Sequence, residues 1–382
     1  MQIAPFLLAL LVLWIVNLCI ALHYCRLGKM TVLQQGMPLK TDSLPPVTIV
    51  LSTHNQVDRL RQNLPLLLQQ SYPGEYEVVV VDRHSDDETI ALLEAMEESY
   101  PHLHHTYCPA TARDISLQRL ALTLGIKSAC YEWVCILQPD CNISGNEWLT
   151  AMMQPCTDEV DAVQGFARYD EPKGWAGLRW QFFRLWQQMM WMPRAHRSTP
   201  YRADGACMCY RKSLFLQHQG FASSSNLEGG AETLLFNHNV RRGRCRVNLR
   251  SAALVTQPQP EDRQWSHERT FYMETRRHMR HTCLYRLGYF TAVWAHLLFA
   301  LLSLALMIYH IPNYFAIGVI ALMWVILIAT RMLCYNYTAR HVGAEGSYLS
   351  LPILQHLVPW WDTQAWLSWL FTRKKTFRKK FV

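Results

Sequence analysis

The stretch Val47-Thr48-Ile49-Val50-Leu51-Ser52-Thr53-His54-Asn55 decides how this chain is read. A short β-branched, apolar run that ends abruptly in small polar residues reads as a buried strand delivering polar side chains to a sheet edge. Helical spacing of Leu60, Leu64, Leu67 and Leu68 follows within His54–Gln70. Tyr76–Val81 is a second buried strand, residues 88–98 and 113–129 read as amphipathic helices, and Trp133–Leu137 is a further strand. Strands alternating with helices of this length imply an α/β domain, a mostly parallel sheet with helices on both faces.

Such sheets bind ligands beyond the carboxyl ends of their strands, so the residues just after each strand are where chemistry is sought. They are Ser52-Thr53-His54-Asn55, then Asp82-Arg83-His84-Ser85-Asp86-Asp87, then Gln138-Pro139-Asp140-Cys141. Two of these three ends present carboxylates to one crevice. Asp beside Ser and Arg suits a nucleotide and a hard divalent cation such as Mg²⁺ or Mn²⁺. A single Asp in such a place is also a common helix N-cap.

Outward from this core, the 382 residues are 50% hydrophobic but only 17% charged, with a net charge of +8. That balance excludes disorder and collagen-like repeats, and a mean hydropathy of −0.03 excludes a chain made mostly of membrane helices. It fits a globular domain joined to a few membrane segments. Three apolar runs approach the roughly 20 residues needed to cross a bilayer core: 3–22, 289–309 and 311–330. His310, Pro312 and Asn313 predict a tight turn between the last two. Met1–Pro5 lack basic residues whereas Arg26 and Lys29 follow the first run, which favours a retained anchor over a cleaved signal peptide. The positive-inside rule then places the domain in the cytoplasm, with Arg276, Arg277, Arg280, Arg286, Arg331 and Arg340 voting the same way.

The segment 349–382 is rich in Leu and Trp, interrupted by Pro352, Pro359 and Asp362, and ends in Arg373, Lys374, Lys375, Arg378, Lys379 and Lys380. It reads as an interfacial amphipathic segment with a basic tail on anionic lipid, or as a solvated tail. The basic charge thus speaks for membrane lipids and not for nucleic acid. The 12 cysteines show no paired CxxC spacing, and free, mostly buried thiols are expected. Cys207 with Cys209 is too little for zinc, and His102, His104 and His105 read as a loop.

The run 47–55, Glu77-Val78-Val79-Val80-Val81-Asp82, Ala121–Ala129 and Trp133–Cys141 together resemble the opening of a family 2 inverting glycosyltransferase. The resemblance continues through Cys209–Phe215, Gly220-Phe221 and Glu228-Gly229-Gly230-Ala231-Glu232-Thr233, covering about 45–280. It implies a GT-A nucleotide-sugar-binding domain over 45–280, with one N-terminal and two C-terminal transmembrane helices, at a bacterial inner membrane. It implies that Asp82 reads the base, that Asp140 holds the metal bridging the donor diphosphate, and that Glu232 is the general base. Ser52, Thr53, Asn55, Arg83 and Lys127 fall among the nucleotide-sugar-binding positions. Arg276 and Arg277 are candidates for the diphosphate, or serve only as a positive-inside signal. Trp180 and Trp186, in an aromatic stretch from Gly174 to Met192, and Asp204 with Gly205 are candidates for the acceptor; core packing or membrane contact is the other reading of the tryptophans.

Each motif also departs from the family. Arg83 stands where the family has Asp, Gln138 replaces the first Asp of Asp-x-Asp, and Ala231-Glu232 replaces an acidic pair. The partners implied are a nucleotide-sugar donor, a lipid-linked or glycan acceptor, and glycan-assembly subunits. The alternative is a catalytically silent relative that binds nucleotide-sugar or scaffolds such an assembly.

Overall fold

A computed structural model describes residues 4–39, 43–109, 116–195, 200–311, 313–372 and Phe377. The chain divides into two compact units. Pro312 and the basic residues of the tail, Arg373, Lys374, Lys375, Arg378, Lys379 and Lys380, lie outside the described residues.

The first unit comprises Met1–Val32, Glu171–Pro193 and Thr282–Leu367 and is helical. It contains most of α1 (Ala4–Gln35), α6 (Gly174–Trp191), α10 (Cys283–Tyr309), α11 (Tyr314–His341) and most of α12 (Leu351–Phe371). Three of these, from Pro5, Cys283 and Tyr314, are long and apolar enough to cross a membrane. They run past the predicted spans, 27 and 28 residues for α10 and α11, or about 40 Å each. Asn313 starts α11 by accepting a hydrogen bond from the Ala316 amide.

Buried polar groups tie this unit together. Arg331 donates to Asn17 and, at 2.8 Å, to Gln355, while Asn17 donates to the Ala295 carbonyl at 3.1 Å. In an apolar unit each such group must find a partner within the protein. The tail helix α12 is continuous for 21 residues with Pro359 inside it, where the sequence predicts a broken segment. Pro352 is tolerated because it sits in the first turn, where no amide is needed. One face of α12 is buried through Leu354, Val358 and Trp361, whereas Trp360, Leu370 and Phe371 are exposed.

The second unit comprises Leu33–Asp170, Arg194–His281 and Ser368–Val382. Its elements in chain order are β1 (Val47–Thr53), α2 (Val57–Leu68), β2 (Tyr76–Asp82), α3 (Thr89–Ser99), β3 (Leu103–Tyr107) and α4 (Leu117–Ser128). There follow β4 (Trp133–Leu137), β5 (Asn142–Ile143), α5 (Trp148–Met153), β6 (Ala162–Gln164), β7 (Ala167–Tyr169), β8 (Cys207–Arg211) and α7 (Lys212–Gln217). The last are α8 (Ala231–Asn239), β9 (Cys245–Val247), β10 (Val255–Gln257) and α9 (Asp262–His278).

A seven-stranded sheet has the order β3-β2-β1-β4-β8-β6-β9. β1 to β4 are parallel, and β8 runs antiparallel to both its neighbours. The core lies on these strands: Val47, Ile49, Leu51, Val78, Val80, Cys135 and Leu137 are all buried. The chain moves outward from β1 to β3 and then returns to place β4 on the other side of β1. That reversal leaves a crevice between the carboxyl ends of β1 and β4. The register sets Thr53 opposite Asp82, and Asp82 opposite Tyr107, so these ends are flush. A second sheet, β5-β10-β7, delivers Gln257 at the end of β10.

Candidate functional site

The sheet edge explains most of the site. Asp82 ends β2 at 2% exposure, and its carboxylate accepts hydrogen bonds from the Ser85 amide at 2.9 Å and the Ser85 hydroxyl at 2.5 Å. Asn55 locks the neighbouring loop to this one: its amide donates to Ser85 Oγ, and its Oδ1 accepts from the Asp86 amide, both at 2.9 Å. Asn55 and His84 have φ of 51° and 63°. Left-handed non-glycine residues on adjacent loops mark a backbone held in place by its surroundings. Thr53 is fully buried at the end of β1, and its hydroxyl has no hydrogen-bond partner.

Glu232 sits in the first turn of α8, a helix capped by Gly230 at φ 70°. Added bulk at Gly230 would collide with Thr275 of α9. Glu232 Oε1 accepts from Gln118 Nε2 at 3.2 Å, and Gln118 Oε1 accepts from Ser52 Oγ at 3.2 Å. A hydrogen-bonded chain thus joins the end of β1 to the first turn of α8. The Asp204-Gly205 turn lies against the same carboxylate: a Cβ on Gly205 would come within 3.2 Å of Glu232 Cδ. Gln164 holds this turn through the Asp204 amide and carbonyl, both at 3.1 Å.

Arg119 supports the loop that leads into α8. It is 1% exposed and donates to the Leu227 carbonyl at 2.8 Å, Ser224 Oγ at 3.2 Å and the Gly229 carbonyl at 2.6 Å. Burial pushes its guanidinium down to about 10, against the pull of Glu232 and Glu228. Arg83 is held at the edge by its amide, which donates to the Thr53 carbonyl at 2.9 Å. Burial lowers this guanidinium too, while Cys108, Glu232 and Asp82 act to raise it. Its Nε is enclosed and has no hydrogen-bond partner.

Asp140 follows β4. Its Oδ1 accepts from Gln257 Nε2 at 3.2 Å, and the same amide nitrogen donates to Gln138 Oε1 at 2.6 Å. The Gln138 amide donates to the Ala206 carbonyl at 3.1 Å, which joins this loop to the Gly205 turn. The donor set here is one carboxylate and two neutral amides, with N–H groups filling the space between the two acceptor oxygens. A hard divalent ion seeks several anionic oxygens. These residues therefore do not fit a resident Mg²⁺ or Mn²⁺ site, and the metal site expected at Asp140 is corrected to a carboxylate clamped by Gln257. Among the described residues no group of three or more His, Cys, Asp or Glu is placed to hold a metal.

Other expected residues lie elsewhere. Lys127 is exposed at the C-terminal end of α4, where its carbonyl accepts from Lys212 Nζ at 3.1 Å. Lys212 follows β8, whose last residue pairs with the first of β4, so Lys127 is at the amino edge of the sheet. Arg276 touches Met273 Sδ at 3.8 Å, and Arg277 is exposed with its guanidinium 5.3 Å from the Trp369 ring centre. Trp180 and Trp186 belong to the helical unit and are buried there. Trp186, at 2% exposure, donates to the Tyr24 hydroxyl at 2.9 Å and packs on Phe183 and Tyr289. An indole so enclosed has no face left for a sugar, which corrects its assignment to the acceptor. All 12 cysteines are free, and His105 pairs with Glu97.

Gln118, Arg119, Gln164 and Gln257 were not singled out from the sequence. Arg119 had a signal, a charge on the buried face of a helix. The glutamines had only their place at or near the ends of buried elements.

Residues 48–216 match the family described as Glycosyl transferase family 2. The structure is similar to that of mannosyltransferase PcManGT from Pyrobaculum calidifontis in complex with GDP-Man and Mn²⁺. The TM-score is 0.55 at 16% identity, over 96% of this chain and 99% of that one. S. aureus TarS residues 1–349 align at 16% identity with a TM-score of 0.43, over 84% of this chain and 89% of that one. Among proteins of curated function, none matches the chain in sequence. The chain carries a family 2 glycosyltransferase domain over residues 48–216, within a GT-A fold.

Proposed function

We propose that the protein is a membrane-anchored glycosyltransferase that moves a sugar, with inversion, from a nucleotide-sugar to a lipid-linked or polysaccharide acceptor at the cytoplasmic face. The observation that carries this reading is the linkage Ser52–Gln118–Glu232, which ties the only acidic residue in the first turn of α8 to the end of β1. An inverting transfer needs one base on the face opposite the leaving group. Glu232 takes the proton of the acceptor hydroxyl, and Gln118 fixes the carboxylate by donating to one oxygen while leaving the other for the acceptor. Asp82 and its loop hold the nucleoside, and Asp204-Gly205 borders the acceptor side.

The mannosyltransferase of similar fold is complexed with Mn²⁺. Such an ion would find one carboxylate here, Asp140, which Gln257 already engages. The three long apolar helices and the basic residues flanking them favour a multi-pass protein with the second unit in the cytoplasm. Incubating the purified protein with a panel of labelled nucleotide-sugars and lipid-diphosphate acceptors tests the reading. A lipid-linked sugar of inverted anomeric configuration is expected, and a retained configuration or no transfer from any donor would overturn it.

A further inference from the structure

A buried positive charge without an anion is costly, because desolvation is not repaid by any partner. Arg83 approaches this position: it is half-buried at the sheet edge, and burial lowers its guanidinium. Its backbone is pinned between the ends of β1 and β3, through its own amide to Thr53 and through the Cys108 amide to the Asp82 carbonyl, at 2.9 Å each. Its Nε is enclosed with no partner, and the adjoining Thr53 hydroxyl is equally unsatisfied. No ion pair joins Arg83 to a carboxylate among the described residues, although Glu232 and Asp82 are near enough to act on its charge. Native proteins rarely leave such groups unpaired unless a ligand completes them.

The anion that fits is a diphosphate. A guanidinium offers a planar fork to phosphate oxygens, and a hydroxyl beside it adds a further donor. The position lies at the carboxyl edge of the sheet, on the loop after β2 that Asp82 organises. Where a metal would otherwise neutralise the phosphates, Gln138, Asp140 and Gln257 make a clamped group with one carboxylate. We propose that Arg83, with Thr53, seats the diphosphate of the donor and supplies the positive charge that the altered metal motif does not, so that nucleoside diphosphate binds without a divalent cation. This rests on the nucleotide-sugar reading above and adds to it the source of the counter-charge.

Titration calorimetry of the full protein with UDP, GDP and CDP in EDTA tests the proposal. One nucleoside diphosphate should bind in EDTA, and Arg83→Gln should weaken it by about tenfold or more, the scale of a charge-assisted hydrogen bond. The matching nucleoside should bind wild type and variant alike, and Arg83→Lys should keep part of the affinity. The Tm of Arg83→Gln should be no lower than that of wild type, since a half-buried guanidinium with an unpartnered Nε is removed. Equal diphosphate affinity in wild type and Arg83→Gln, or wild-type binding that appears only with Mn²⁺, would overturn the proposal while leaving the nucleotide site standing. Inorganic pyrophosphate bound as tightly as the nucleoside diphosphate would overturn the assignment to the donor. Failure of every nucleoside diphosphate to bind, with or without Mn²⁺, would overturn the nucleotide reading itself.

Discussion

The two edges of the seven-stranded sheet carry similar residues and treat them differently. At the amino edge every named group is closed off. Thr48 Oγ1 and the Cys130 amide both donate to Glu77 at 2.6 Å, Lys212 Nζ donates to the Ala129 carbonyl at 2.5 Å, and Ser213 Oγ donates to Glu132 at 2.5 Å. At the carboxyl edge Thr53 Oγ1, Ser116 Oγ and Arg83 Nε are enclosed without partners. Satisfied polar groups hold a fold together, whereas unsatisfied ones raise its energy until something binds. The contrast separates the edge that builds the domain from the edge that works.

The largest way to break this contrast is at Glu232. Glu232→Gln keeps an oxygen for Gln118 but removes the base, so turnover should fall on the order of a thousandfold while donor affinity stays unchanged. Steady-state kinetics with donor titration checks both. A small fall in turnover would move the base elsewhere. Next comes Arg119→Met, which strips three buried acceptors of their donor. Stability of the domain should drop by about 3 kcal/mol, read by denaturant unfolding.

Gly205→Ala sharpens the comparison further. Its methyl group would press on the Glu232 carboxyl carbon, and turnover should fall about tenfold with little change in Tm, since small displacements of a reacting group are expensive in rate. The smallest effect belongs to the amino edge. Lys212→Met removes bonds to two carbonyls there, and should cost about 1 kcal/mol of stability with turnover unchanged. A loss of turnover at Lys212 would erase the distinction between the edges.

The parallel core was legible because β1, β2 and β4 are buried on both faces and therefore read as short apolar runs ending in polar residues. Those endings gave Asp82 and Asp140 their places, and the family resemblance gave Glu232 its own. The supporting residues were not legible, because Gln118, Gln164 and Gln257 act through partners 40 to 119 positions away in the chain. A glutamine has no local pattern that marks it as a clamp. Trp186 misled for a related reason: aromatic spacing on a helix is the same whether the partner is a sugar or another helix. The tail misled through Pro359, which the sequence reads as a break and which tertiary packing on α12 accommodates.

Hydrogen exchange with and without the nucleoside diphosphate selected by calorimetry tests the central claim most directly. Protection should appear in peptides spanning 52–55, 82–87, 138–141, 203–206 and 228–233, and exchange at 127–132 and 210–213 should be unchanged. Protection at the amino edge, or none at the carboxyl edge under saturating nucleotide, would contradict the account.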